Sequence, residues 1–156
     1  MRRTMWVLTI LAVDTLWNVG LMCFESGYLP RLGPIHPATY GESISWMNNI
    51  PAIFQLVILF TMATVEEFLF RGIPLLKYRS LNTSKSSWIK TSILSSIIFG
   101  LGHGGVAQIL YQGVDGFLWC ILFMVSMGPK KEPIPALISC IWAHFLFNVT
   151  LYYVLT

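Results

Sequence analysis

Apolar residues along the chain fall into long runs, each closed by a short polar or Gly/Pro-rich break. A helix needs about 20 apolar residues to cross a hydrocarbon core of about 30 Å, so runs of this kind predict membrane-spanning helices. The first covers residues 4–24, and the Gly- and Pro-rich stretch over 25–42 predicts an extramembrane loop. A second run begins near residue 44, passes Pro51 and reaches Thr64, and helical character continues to Tyr78. Unbroken, that helix would measure about 55 Å, so it is expected to bend near Pro51 or Pro74 or to divide in two. Residues 81–86 form a polar break in which Ser84 or Ser86 is suited to cap the next helix. The third run, 87–103, meets a stop at Gly104 and Gly105. The fourth spans 106–127, and the fifth runs from 134 to the end, with Pro133 and Pro135 tolerated in its first turn. The expected fold is all-α, a polytopic transmembrane bundle of about five to six helices. Residues 1–60 hold the first span, the loop and the start of the second span, and 61–156 form a helical core.

Composition strengthens this reading. With 55% hydrophobic and 11% charged residues in a chain of 156, an ordinary soluble surface is excluded. The net charge of +3 sits between apolar runs and not on one helix face, which gives no support to a nucleic-acid partner. Its pattern fits membrane topology better. Arg2, Arg3, Arg71, Lys77, Arg79, Lys85, Lys90, Lys130 and Lys131 fall on or toward one side and Arg31 on the other, predicting a multi-pass cell-membrane protein with a cytoplasmic N-terminus. Met1-Arg2-Arg3 resembles a signal-peptide lead, yet Asp14 interrupts the following run and no small-x-small site follows, so an uncleaved first span is expected. Cys23, Cys120 and Cys140 lie in apolar runs without pair spacing and are expected to be buried free thiols.

Charge inside apolar runs is where chemistry enters. A charged side chain near a membrane helix centre costs roughly 2.5–3.5 kcal/mol on insertion scales, so each needs a partner or a function. Asp14 is expected to face the bundle and to hydrogen-bond Asn18 or a neighbouring helix. Glu66, Glu67 and Arg71 follow directly on the run 53–64. On a helix Glu67 and Arg71 share a face as an i, i+4 ion pair, which leaves Glu66, about 100° around the axis, open for chemistry. Phe99 and His103 close the third span, and His144 and Asn148 lie one turn apart in the fifth. If the second and third helices turn near residue 84, Glu66 and His103 come to one level. From the Lys130-Lys131 turn His144 lies at a depth of about 20 Å, against about 21–27 Å for Glu66. The convergence suits water attack on an amide. Glu66 would act as general base with His103 orienting the water, and His144 and Asn148 would donate to the oxyanion. No Ser or Cys nucleophile stands out nearby.

These residues resemble the motifs of the CAAX-processing and bacteriocin-processing (CPBP, or Abi) intramembrane endopeptidases. Glu66-Glu67-Phe68-Leu69-Phe70-Arg71 is similar to that family's Glu-Glu-x-x-x-Arg, Phe99 to His103 to its Phe-x-x-x-His, and His144 to Asn148 to its His-x-x-x-Asn. The resemblance covers residues 60–150 and makes 61–156 a CPBP-like catalytic core. It implies a glutamate-type protease with no cofactor: Glu66 and His103 activate water, His144 and Asn148 hold the oxyanion, and Glu67, Arg71 and Phe99 support the site. It also implies a bilayer-embedded enzyme acting on a membrane-associated peptide or protein. The chain is shorter than most members, so it either encloses the substrate cavity alone or completes it in a homo-oligomer or with a partner. Two alternatives stay open. Glu66, His103 and His144 could ligate a catalytic zinc, since three N/O ligands plus water is the usual open set. Or the polar residues only hold helices together in a non-catalytic immunity or scaffold protein.

Overall fold

The computed structural model describes residues 2–25, 45–76, 85–104, 106–128 and 132–155, and every regular element among them is helical. Helix α1 is Arg2–Glu25. After a 3₁₀ turn at Ser45–Asn49, α2 runs over Ala52–Leu76, α3 over Lys85–Gly102, α4 over Gln112–Met127 and α5 over Pro133–Leu155. The loop expected at 25–42 lies, beyond Glu25, outside the described residues, as do Ser84, Lys130-Lys131 and the side chains of Asn18 and Cys23.

The long second run resolves at Pro51. That residue is extended (φ −53°, ψ 139°) and sits at the N-cap of α2, so the proline ends the preceding 3₁₀ turn and starts a new helix in place of kinking one. Pro74 produces no break. The irregularity falls instead at Phe68–Gly72, where α2 widens into one π-helical turn directly after the glutamates. The Ile73 amide donates to Phe68 O across five residues. Such single π turns are frequent at functional sites.

Lengths differ among the helices. Ala52–Leu76, with 25 residues, and Pro133–Tyr153, with 21, are long and apolar enough to cross a membrane, whereas the apolar stretches Met5–Trp17 and Gln112–Met127 are shorter. Large apolar side chains point outward on four helices, for example Leu16, Val57, Leu94 and Ile138, but none on α4. Helix α4 is therefore the central one, packed by α1, α3 and α5, while α2 lies along α5. The α4–α5 seam is lined by Cys120, Ala136, Cys140 and Ala143, all fully buried. Small side chains bring two backbones close, which is how helices associate where lipid offers no hydrophobic contrast. Cys120 and Cys140 are free thiols.

Hydroxyls in these helices are satisfied locally. Thr61 donates to Val57 O at 2.7 Å, Thr64 to Phe60 O at 2.8 Å and Thr150 to Leu146 O at 2.9 Å, so exposed threonines need no water or partner helix. At the far end of α3, Gly100 lets the 3₁₀ turn Val106–Ile109 pack down: a Cβ there would stand 2.7 Å from Gln108 O and Ile109 Cα. The chain leaves α3 through Gly104, whose φ of +119° is open to glycine and strained for other residues.

Candidate active site

The π turn decides what α2 presents to the bundle. Glu67, Arg71 and Gly72 are buried, and the Arg71 guanidinium lies among α2, α3 and α4. Arg71 Nη1 stands 3.0 Å from Glu67 Oε1, Nη2 donates to Gly116 O at 3.1 Å, and the guanidinium sits 4.7 Å from the Phe99 ring centroid. Arg71 is thus no topology-setting cation, as its place in the charge pattern led us to expect. It is sealed inside because Glu67 and the α4 carbonyl replace its water. Gly116 makes room for it: a Cβ there would meet Phe99 Cδ1 at 3.0 Å and Arg71 Nη2 at 3.3 Å.

Helix α5 adds His144 from the opposite side. Its Nδ1 lies 2.8 Å from Glu67 Oε1, the same oxygen that receives Arg71. Its Nε2 faces Glu66 Oε2 at 3.5 Å. Glu66 is therefore not left without a partner, and His144 bridges both glutamates. With the Nδ1–H donated to Glu67, Nε2 is the nitrogen that serves Glu66 and anything bound beside it. The accessibilities separate the two acids: the Glu67 side chain is fully buried, whereas that of Glu66 keeps 21% of its surface. Among the described residues Glu67 Oε2 and Arg71 Nε find no hydrogen-bond partner. Unsatisfied buried polar atoms are few in native proteins and call for a reason, catalysis among them.

His103 stands in the turn after α3, exposed, with Nδ1 2.8 Å from Phe99 O and its ring 4.4 Å from the Phe99 ring. The His144 ring lies 6.4 Å from the same phenyl, so both imidazoles border Phe99. No direct ion pair joins Glu66 to His103 among the described residues. Asn148 is buried one turn beyond His144. Thus Glu66, Glu67, Arg71, Phe99 and His144 form one contiguous cluster, His103 meets it through Phe99, and Asn148 extends the α5 wall. No three His, Cys, Asp or Glu side chains among the described residues converge closely enough to hold a metal ion, so the set Glu66, His103 and His144 does not fit a zinc site as placed here.

Parts of the cluster carried no sequence motif. Asp14 on α1 and Asp115 on α4 are both fully buried, close enough to interact with one another and with Arg71. Asp14 does face the bundle, where a second carboxyl on a neighbouring helix lies close to it. Asp115 was open to the argument that singled out Asp14, a charge inside an apolar run. Trp119 had no such signal, yet it stacks on His144 with ring centroids 5.6 Å apart and planes 12° from parallel.

Chemically the cluster offers a partly accessible carboxylate, an imidazole against it, and a buried ion pair that holds the imidazole. Residues 48–150 match the family model for type II CAAX prenyl endopeptidase Rce1-like proteins. No curated protein and no solved structure matches the chain.

Proposed function

The chain belongs to the Rce1-like family of type II CAAX prenyl endopeptidases, and on that premise we propose that it hydrolyses a peptide bond of a membrane-associated protein or peptide, prenylated ones included, with water activated at Glu66. The observation that carries this reading is the partly accessible Glu66 carboxylate, placed 3.5 Å from His144 Nε2 beside a buried Glu67–Arg71 pair. Glu66 takes a proton from water as the water oxygen bonds to the scissile carbonyl carbon, and the carbonyl electron pair moves onto oxygen. His103 orients that water from the rim of Phe99. With protons on both ring nitrogens, His144 donates Nδ1–H to Glu67 and Nε2–H to the oxyanion, and Asn148 adds a second donor. Collapse of the tetrahedral intermediate breaks the C–N bond, and Glu66 returns its proton to the leaving amine. Glu67 and Arg71 touch no substrate in this scheme. They hold His144, as a hydrogen-bonded carboxylate holds a catalytic imidazole elsewhere.

The setting we propose is a multi-pass membrane protein with a cytoplasmic N-terminus, in which α2 and α5 cross the bilayer. The test is cleavage of a membrane-inserted, CAAX-terminated reporter by purified protein. Wild type should cleave it, and Glu66→Gln should be slower by about 10²–10⁴-fold, at equal yield and equal thermal stability in detergent. Cleavage near the wild-type rate in Glu66→Gln overturns the mechanism. Dependence of cleavage on bound zinc would favour the metal alternative, and a phenotype that survives loss of both Glu66 and His144 would favour a non-catalytic binding protein.

A further inference from the structure

We infer that Trp119, on a helix that carries none of the three motifs, is a positioning residue: it sets the plane of His144 and thereby the place of Nε2. The inference rests on the hydrolytic reading above. A hydrogen bond from Nδ1 to Glu67 holds one atom of the imidazole and leaves the ring able to tilt, because the second torsion of histidine has only broad minima. A tilt of about 30° around the bonded nitrogen moves Nε2 by about 1 Å, the scale at which misplacement costs about 100-fold in rate. Stacking at 5.6 Å and 12° opposes that motion.

The indole is itself held firmly. It is 1% exposed, it meets Phe147 edge-on with centroids 6.1 Å apart, and its backbone carbonyl accepts the Cys140 thiol at 3.7 Å. One turn earlier on the same face of α4, the Gly116 carbonyl receives Arg71. A single face of α4 thus supports the chain of contacts at both ends, Arg71 through Gly116 and His144 through Trp119, with Glu67 between them. A core filler alone would need volume at this position, not a parallel plane.

Two variants separate plane from volume. Trp119→Phe keeps a flat ring, and Trp119→Met keeps flexible apolar bulk. Both leave some space and should melt at similar temperatures. We expect kcat on the CAAX reporter to fall about 10–100-fold in Trp119→Met with KM nearly unchanged, and Trp119→Phe to recover most of the loss. An activity-independent readout accompanies this. A stacked imidazole quenches indole emission, so His144→Leu should brighten the protein's fluorescence, and should leave it unchanged in a Trp119→Phe background. Wild-type kcat in Trp119→Met, equal losses in both variants, or emission from Trp119 that ignores His144 would overturn the inference while Glu66→Gln remained slow. Cleavage near the wild-type rate in Glu66→Gln overturns the hydrolytic reading itself, and the catalytic consequence of the stack with it.

Discussion

Two polar clusters interrupt the apolar bundle, one at each end of α2, and they solve the problem of buried polarity differently. At the start of α2, Gln55 Nε2 donates to Met47 O at 3.0 Å and Ile50 O at 2.8 Å, while Tyr153 donates to Gln55 Oε1 at 3.1 Å and Tyr152 to Asn48 Oδ1 at 2.6 Å. Every group there is neutral, and the Gln55 amide is engaged on both its atoms. At the π turn the groups are ionisable, one Glu67 oxygen serves both Arg71 and His144, and among the described residues Glu67 Oε2 and Arg71 Nε find no hydrogen bond. The first cluster ties the 3₁₀ turn and the end of α5 to α2. The second concentrates charge beside the partly open Glu66. A buried polar group that is fully satisfied is explained by architecture, whereas a partly accessible carboxylate beside a buried imidazole and ion pair points to chemistry.

Substitutions at the two ends should therefore behave differently. The largest effect is expected at Glu66: Glu66→Gln should lower the rate of reporter cleavage by about 10²–10⁴-fold, the usual worth of a positioned acid–base group, with no change in melting temperature. Arg71→Met should act on the fold, because it takes the guanidinium away from the buried Glu67 carboxylate and leaves it only the His144 contact; a loss of about 3–5 kcal/mol is expected in detergent unfolding. Glu67→Gln combined with Arg71→Met should regain part of that stability without regaining cleavage, since His144 still lacks its carboxylate. Gly116→Val should cost about 1–3 kcal/mol through overpacking against Phe99 and Arg71. At the other end, Tyr153→Phe removes one neutral hydrogen bond and should cost about 0.5–1.5 kcal/mol with cleavage at the wild-type rate. The smallest expected effect is none: a chelator titration should leave cleavage by the purified protein unchanged. Cleavage lost in Tyr153→Phe, or spared in Glu66→Gln, would erase the distinction between the clusters.

Much of this was legible in the order of residues. Apolar runs with Gly/Pro breaks marked the helices, because a membrane helix must hide its backbone polarity along its whole length. Pro133 and Gly104 marked ends for the local reasons that make proline a helix starter and glycine a helix stop. The i, i+4 pairing of Glu67 with Arg71 needed only the helical repeat. Charge stranded in apolar sequence singled out Asp14 and the Glu66–Arg71 segment for the same energetic reason.

Other features needed the fold. The extra residue in the turn Phe68–Gly72 has no local cause in Phe-Leu-Phe-Arg-Gly; it accompanies Arg71 reaching Gly116 on another helix. His144 lies 77 residues from Glu67, and no spacing rule says that its two nitrogens divide between two adjacent glutamates. Trp119 is one apolar residue in an apolar run until α4 and α5 lay its ring parallel to an imidazole. Sequence determined which residues carry charge and how α3 ends and α5 begins, because those depend on neighbours along the chain. Tertiary structure decided which acid is sealed and which is reached, because that depends on the neighbours that packing brings from other helices.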